Sequence, residues 1–228
     1  SSEKRYLEFE GVVNKNQIKV LGSGSICGVD LKKFHPDFEV KKKLRSDLSI
    51  PLTARVCLFL GRINQDKGIM DLVKAFKLAH KKSPDLFLLI IGPDEFGLNQ
   101  AIQDELYGYE QFYKILDFVT DAEQYYCLAD FFCLPSYREG FPISILEASA
   151  CGIPSIGSDI YGINDAIVDG VTGIQYPVGN IGELGNSLLK FSSNPLYCEE
   201  LGLAARNRVI SDYEQDIVCA RYISYIQE

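Results

Sequence analysis

Apolar and polar positions along this chain follow two periods that take turns. "ARVCLFLG" (54–61) is a short, mostly apolar run and predicts a strand. "GIMDLVKAFKLAHKKSP" (68–84) repeats its apolar residues at helical spacing and predicts an amphipathic helix. "LFLLIIG" (86–92) is apolar throughout, as a strand covered on both faces should be. The alternation continues with "LNQAIQDELYG" as a short helix, "YKILDFV" as a strand, "DAEQYYCLA" as a helix capped by Asp121, and "DFFCLP" as a strand. "PISILEASACG" predicts a helix, with Pro142 in its first turn and Gly152 just past its end. "PSIGS" and "TGIQYP" predict two more strands, separated by the short helix and turn of "YGINDAIVDG". Three helical segments, "IGELGNSLLKFSSN", "PLYCEELGLAARNRVIS" and "YEQDIVCARYISYIQE", close the chain.

Strand followed by helix, repeated in this way, predicts an α/β domain with a doubly wound parallel sheet, Rossmann-like in its layering. Ligands of such sheets bind at the carboxyl ends of the strands. Here those ends are the loops after Leu60, Ile91, Phe118, Leu134 and Ile156. The first segment differs. "EKRYLEFEGVV" looks helical, "QIKVLGSG" looks like a strand entering a turn, and "VDLKKFHPDFEV" has no clean period. Residues 1–30 therefore read as the tail of a preceding domain or a linker, and 31–228 as the domain proper, C-terminal helices included.

Charge and cysteine usage narrow the classes. A net charge of −8 argues against a general nucleic-acid binder, which needs a basic surface, yet leaves room for a local basic pocket. No apolar run approaches the ~18 residues of a membrane span, and "SSEKRYLEFE" lacks the basic-then-apolar order of a signal peptide. The seven cysteines are odd in number, form no C-x-x-C pair and sit mostly in apolar runs, which predicts reduced thiols in a cytoplasmic protein. With two histidines in unrelated contexts, a His-based metal site is not expected.

Three segments could carry chemistry. "GSGSICG" (22–28) superficially resembles a dinucleotide fingerprint, but Pro36 disfavours the long helix that must follow, so it reads as a loop. "GRINQDKG" (61–68) brings Arg62 and Lys67 to a strand end, where a guanidinium fork and a mobile ammonium suit phosphate oxygens. As ordinary loop residues both would simply be solvated. "LPSYREGFPISILEASACGIP" follows the strand "DFFCLP". Gly140 allows close backbone approach, and the helix beginning at Pro142 leaves the N–H groups of Ile143 and Ser144 to face an anion. Glu147 stands among Ile145, Leu146, Ala148 and Ala150, where it either points to solvent or meets a polar ligand such as a sugar hydroxyl pair.

Together these residues resemble the nucleotide-binding half of a GT-B glycosyltransferase, most similar to the retaining glycosyltransferase family 4. The matching pieces are "GSICGVDLKKF", "GRINQDKG", "LLIIGPD", "YYCLADFFCLPSYREGFPISILEASACGIPSI" and "YGINDAIVDGVTG", in family order from about residue 20 to 175. The resemblance implies that Arg62 and Lys67 bind the donor diphosphate, that Glu147 binds the ribose, and that Glu139 acts catalytically near the anomeric centre of the transferred sugar. It implies backbone N–H contacts from Gly140, Phe141, Ile143 and Ser144, and places Phe118 and Val119 near the base. The chain departs from many members in having Pro142 after the Phe, which removes one backbone donor. No D-x-D occurs, in keeping with a site that needs no metal and no cofactor beyond the nucleotide-sugar substrate.

The implied reaction is hexosyl transfer with retention from a nucleoside-diphosphate sugar, uridine being the expected base. The acceptor, a glycan or lipid-linked glycan, would be held by a domain preceding this one. Surface polysaccharide assembly, O-antigen or capsule, is the expected setting, with the intact enzyme in the cytoplasm or peripherally at the inner face of the membrane. The alternatives are another GT-B enzyme, such as a sugar epimerase, and a non-catalytic nucleotide-binding module. Turnover by the intact protein separates the second from the others.

Overall fold

The computed structural model describes residues 1–25 and 27–227. Its centre is a six-stranded, wholly parallel sheet in the order β3-β2-β1-β4-β5-β6. The strands are β1 (Arg55–Leu60), β2 (Leu86–Ile91), β3 (Tyr113–Leu116), β4 (Phe131–Leu134), β5 (Ser155–Ser158) and β6 (Gly173–Tyr176). In register, Cys57 of β1 lies between Leu88 of β2 and Phe131 of β4. Period-2 alternation divides each central strand between two cores. Val56 and Leu58 enter one, and Cys57 and Phe59 the other. Every residue of β2 and β4 is buried, which is why their sequences show no polar alternation.

Helices fill both faces. One is covered by α3 (Ile69–His80), α4 (Leu98–Glu105) and α8 (Ile181–Ser193), whose Leu72, Phe76, Ile102 and Leu188 join the core of Phe59. The other is covered by α5 (Ala122–Leu128) and α6 (Ile143–Ala150), with the single turn α7 (Ile163–Ala166) at its edge. The long α9 (Pro195–Asp212) spans both cores, and α10 (Gln215–Gln227) buries only Val218. The doubly wound parallel sheet is as the strand–helix alternation predicts.

The segment without a clean period contains a helix, α2 (Phe38–Asp47). Asp37 caps it, its Oδ1 accepting from the amides of Glu39 (2.9 Å) and Val40 (3.0 Å). α2 buries an arginine. Arg45 donates to the carbonyls of Leu128, Leu52 and Ala54 and to Asp130 Oδ2 at 2.8 Å. Asp130 also pairs with Lys41 (2.8 Å) and Arg55 (3.4 Å) and accepts from the amide of Val56. Burial pushes the Asp130 carboxyl up, but the three cations outweigh it and hold it below the usual range. This cluster fixes α2 and the starts of β1 and β4 to one another.

Two local expectations fail. "QIKVLGSG" forms no strand: residues 17–24 are bends, turns and irregular chain outside the six-stranded sheet. Asp121 stands at the N-cap position of α5, but its side chain makes no capping hydrogen bond. At the N-terminus, α1 (Ser2–Phe9) docks on the loop after β5. The amide and hydroxyl of Ser2 donate to Asp165, and Tyr6 stacks on Tyr161 with ring centroids 4.4 Å apart.

Candidate functional site

The strand order reverses between β1 and β4, since β1 continues outward to β2 and β4 to β5. Crevices at such switch points hold ligands in open α/β sheets. The loops leaving these two strands are 61–68 and 135–142, the two charged motifs of the sequence.

Glycine lets them touch. Gly68 has φ +66°, and a Cβ there would sit 2.1 Å from the Pro135 carbonyl oxygen, so only glycine fits. The Tyr137 amide donates to the Asp66 carbonyl at 2.8 Å. This contact brings Lys67 Nζ to 2.5 Å from Glu139 Oε1, with both side chains largely buried. Ser136 Oγ donates to the same carboxylate oxygen at 2.7 Å, and the carbonyl of Ser136 accepts from Ser158 of β5. The loop after β5 closes the group: Gly162 (φ +82°) packs so tightly on the Gly140 carbonyl that no side chain could replace its hydrogen.

Beyond Glu139 the chain turns through Gly140, around which a Cβ would meet nothing within 4 Å. It then enters α6 at Pro142, and no side chain caps that helix. The amides of Ile143 and Ser144 lack intrahelical acceptors and lie at the helix's positive end. Phe141 turns inward instead, its ring 5.6 Å from that of Tyr213.

Glu147, one turn into α6, does not point to open solvent. Tyr126 of α5, itself fully buried, donates its hydroxyl to Glu147 Oε2 at 3.0 Å. Burial pushes the Glu147 carboxyl up; the Tyr126 hydroxyl and Lys33 pull against this, and Glu123 adds to it. A carboxylate kept beside a buried core with one neutral hydrogen bond costs stability unless a ligand uses it.

Arg62 stands apart from this centre. It is 62% exposed and pairs with Glu95 on the loop after β2 at 3.2 Å. Glu95 accepts from Asn64 Nδ2 at 3.0 Å, while Asn64 Oδ1 accepts from the Lys67 amide at 3.0 Å. Asn64, first of these contacts, and Arg62 hold the Glu95 carboxyl below its usual range. The structure thus joins Lys67 to Glu139 directly and links Arg62 to them only through Glu95 and Asn64. Arg62, Asn64, Glu95 and Phe96 line an open cavity of about 550 Å³ beside the crevice.

Phe118 is 69% exposed on the loop after β3, whereas Val119 packs partly into the core. Sequence reasoning missed Asn64, Ser136, Tyr126 and Gly162. Asn64 had a legible signal, an Asn three residues before Lys67 in the N-cap spacing of a helical turn. Tyr126 had none, because a buried tyrosine looks like core until its hydroxyl's partner is known. Among the described residues no cluster of His, Cys, Asp and Glu could hold a metal ion, and no helix is long and apolar enough to cross a membrane.

Known proteins resemble this chain in sequence and in fold. The profile of the family "Glycosyl transferases group 1" matches residues 40–208. The capsular polysaccharide biosynthesis glycosyltransferase CapM of Staphylococcus aureus is 29% identical over 95% of this chain and 57% of its own length. A D-inositol 3-phosphate glycosyltransferase of Paenarthrobacter aurescens is 33% identical over 64% of this chain and 37% of its own. The chain thus spans little more than half the length of these relatives at most. In structure, the sucrose-phosphate synthase of Thermosynechococcus elongatus superposes with a TM-score of 0.85 and 25% identity, covering 99% of this chain and 56% of that one. Anabaena HepE in complex with UDP and glucose gives a TM-score of 0.81 at 21% identity, covering 90% and 57%.

Proposed function

This chain belongs to the glycosyl transferases of group 1, and from that premise we propose that its switch-point crevice binds the donor of a sugar-transfer reaction, a nucleoside-diphosphate sugar with uridine as the base. The observation that carries the proposal is the meeting of Lys67 and Glu139 beside the uncapped N-terminus of α6. A diphosphate set there has an ammonium on one side and the amides of Ile143 and Ser144 on the other. Arg62, exposed and held only by Glu95, can turn to it as a second cation. Glu147 lies one turn further along α6, at a distance suited to ribose hydroxyls, with Tyr126 fixing its orientation. Phe118 and Val119 flank the base.

The mechanism follows from charge. As the bond from the anomeric carbon to the diphosphate breaks, negative charge grows on the leaving oxygens and positive charge on the sugar ring. Lys67, Arg62 and the α6 amides stabilise the first without a metal. Glu139, aimed past the diphosphate by Ser136 and Lys67, stabilises the second. Transfer with retention of configuration is the stereochemical outcome of this reading. The acceptor, a glycan or lipid-linked glycan, would be met by parts of the protein outside these residues. CapM's role in capsule synthesis supports surface polysaccharide assembly as the setting.

Calorimetric titration with UDP, GDP and UDP-glucose tests the donor site. UDP should bind, and Arg62→Ala should weaken it by ~1.5–3 kcal/mol, the scale of a charge-assisted hydrogen bond. Absence of UDP binding by the wild-type protein would refute the site. NMR of the product's anomeric proton, with the intact enzyme, tests retention.

A further inference from the structure

At the edge of the sheet opposite the donor crevice, where β1, β4 and β5 begin, Cys127 and Cys151 line a cavity of about 220 Å³ together with Asp37, Lys41, Arg55 and Asp130. Cys127 lies in the last turn of α5, half-buried, and Cys151 caps the end of α6, buried. Both residues line the same cavity, and each thiol shifts the ionisation of the other. When protonated, Cys127 donates to the His35 carbonyl at 3.1 Å. As a thiolate it is stabilised by the Cys151 S–H first and by the Asp37 amide, with His35 favouring and the Asp37 carboxylate opposing it. Burial also opposes, and the balance brings the thiol down to about 7. Cys151 is pushed well above the ordinary range by its neighbour and by burial, Arg206 opposing this and Glu147 adding to it. One thiol is thus a ready nucleophile and the other its protonated partner, both opening on one cavity.

We propose that Cys127 and Cys151 form an oxidisable dithiol, and that its closure by a hydroperoxide to a Cys127–Cys151 disulfide weakens binding in the donor crevice; the second half rests on the nucleotide-sugar reading of that crevice. With hydrogen peroxide as the hydroperoxide, the Cys127 thiolate attacks one peroxide oxygen and breaks the O–O bond, giving a sulfenic acid and releasing hydroxide, which takes a proton to become water. The Cys151 sulfur then displaces the sulfenic hydroxyl, its own proton leaving with that group as a second water. Two thiols are oxidised by two electrons and one peroxide is reduced.

The link to the crevice is short. Tyr126, the chain neighbour of Cys127, is the residue that holds Glu147. Glu147 lies one helical turn before Cys151, whose amide donates to the Glu147 carbonyl at 3.1 Å. A disulfide draws the two sulfurs to about 2.05 Å, well inside non-bonded contact. Tyr126 has no exposed surface, so the ends of α5 and α6 cannot close together without displacing it or Glu147 in a packed core. The other cysteines offer no equal. Cys57 and Cys133 lie sealed within the sheet, Cys27 and Cys219 are exposed, and Cys198, on the same cavity, donates to the Asp130 carbonyl.

The test treats the purified protein with hydrogen peroxide, traps free thiols, maps peptides by mass spectrometry and titrates UDP before and after. A linked Cys127–Cys151 peptide is expected, with UDP affinity lowered at least about fivefold, the lower end of site-to-site coupling, and restored by dithiothreitol. Cys127→Ser and Cys151→Ala should each abolish both effects, and Cys198→Ser neither. Recovery of Cys127 only as free thiol or sulfinic acid, with no linked peptide, overturns the dithiol. A linked peptide with unchanged UDP affinity overturns its coupling to the crevice. A linked peptide in a protein that binds no UDP even when reduced refutes the donor reading and leaves the dithiol standing.

Discussion

Lys67 Nζ sits 2.5 Å from Glu139 Oε1 although the two residues are 72 positions apart in the chain. The pair has two consequences for a diphosphate ligand. Part of the ammonium's charge is already answered by a carboxylate, and that carboxylate repels an arriving anion. Each partner therefore acts on binding with opposite sign.

Lys67→Ala should weaken UDP binding by ~1.5–3 kcal/mol, since a charged donor is lost and Glu139 is left facing the phosphates. Glu139→Gln should instead tighten UDP several-fold, while in the intact enzyme it lowers kcat without raising the donor KM. Isothermal titration of both variants and steady-state kinetics with varied donor check this. Weaker UDP binding by Glu139→Gln would contradict the repulsion argument.

Glu147→Gln should raise stability at neutral pH. Burial lifts the Glu147 carboxyl above its unfolded value. A raised acid is favourable to the fold only while protonated: its contribution is complete below the unfolded value, roughly 4.3, and is lost as pH rises through the folded one. Gln keeps an acceptor for Tyr126 and carries no charge. The Tm gain should be present at about pH 7 and vanish near pH 4. The same variant should raise the donor KM, because a ribose contact serves ground and transition states alike. A lower Tm at neutral pH would show that the charge is compensated in the fold.

Much of this was legible in the sequence, and the reasons differ by element. β2 and α3 announce themselves because burial of one strand on both faces and of one helical stripe leaves opposite, readable patterns. The two loops of the crevice were legible as charged, glycine-bounded motifs at strand ends. α2 was not, because Pro36 and a run of three lysines mask a helix whose inward residue is a buried Arg45 rather than an apolar stripe. Nor could spacing show that Arg62 pairs with Glu95 while Lys67 pairs with Glu139. Long side chains choose partners in three dimensions, and position at one strand end leaves that choice open.

Asp130→Asn should be the most damaging single change outside the crevice. Arg45 is 1% exposed and depends on this carboxylate, so removing it leaves an unpaired buried charge, at about 3–5 kcal/mol. Because the cations hold Asp130 below its unfolded value, its contribution is complete above about pH 4 and is lost as pH falls through the folded value. Urea unfolding of the variant at neutral and acid pH should show the difference from wild type shrinking on the acid side. Equal stability at neutral pH would mean that Lys41, Arg45 and Arg55 find other partners.

Two glycines of the crevice separate folding from binding. A Cβ on Gly68 meets the Pro135 carbonyl at 2.1 Å and must adopt φ +66°. Gly68→Ala therefore forces the loops after β1 and β4 apart, and with them Lys67 and Glu139. It should lower the Tm and weaken UDP binding together. A Cβ on Gly140 meets nothing within 4 Å and its φ is unrestricted, so Gly140→Ala should leave the Tm unchanged. The space around it opens beside the uncapped start of α6, on a cavity that Ser1, Lys4 and Phe141 also line. If a diphosphate occupies that space, the added methyl must compete with it, and UDP binding should fall by about 1 kcal/mol or more, the lower range of overpacking costs. Thermal melts and UDP titrations of the two variants decide the matter. Unchanged UDP affinity in Gly140→Ala would move the phosphates away from the α6 N-terminus, whatever the other variants show.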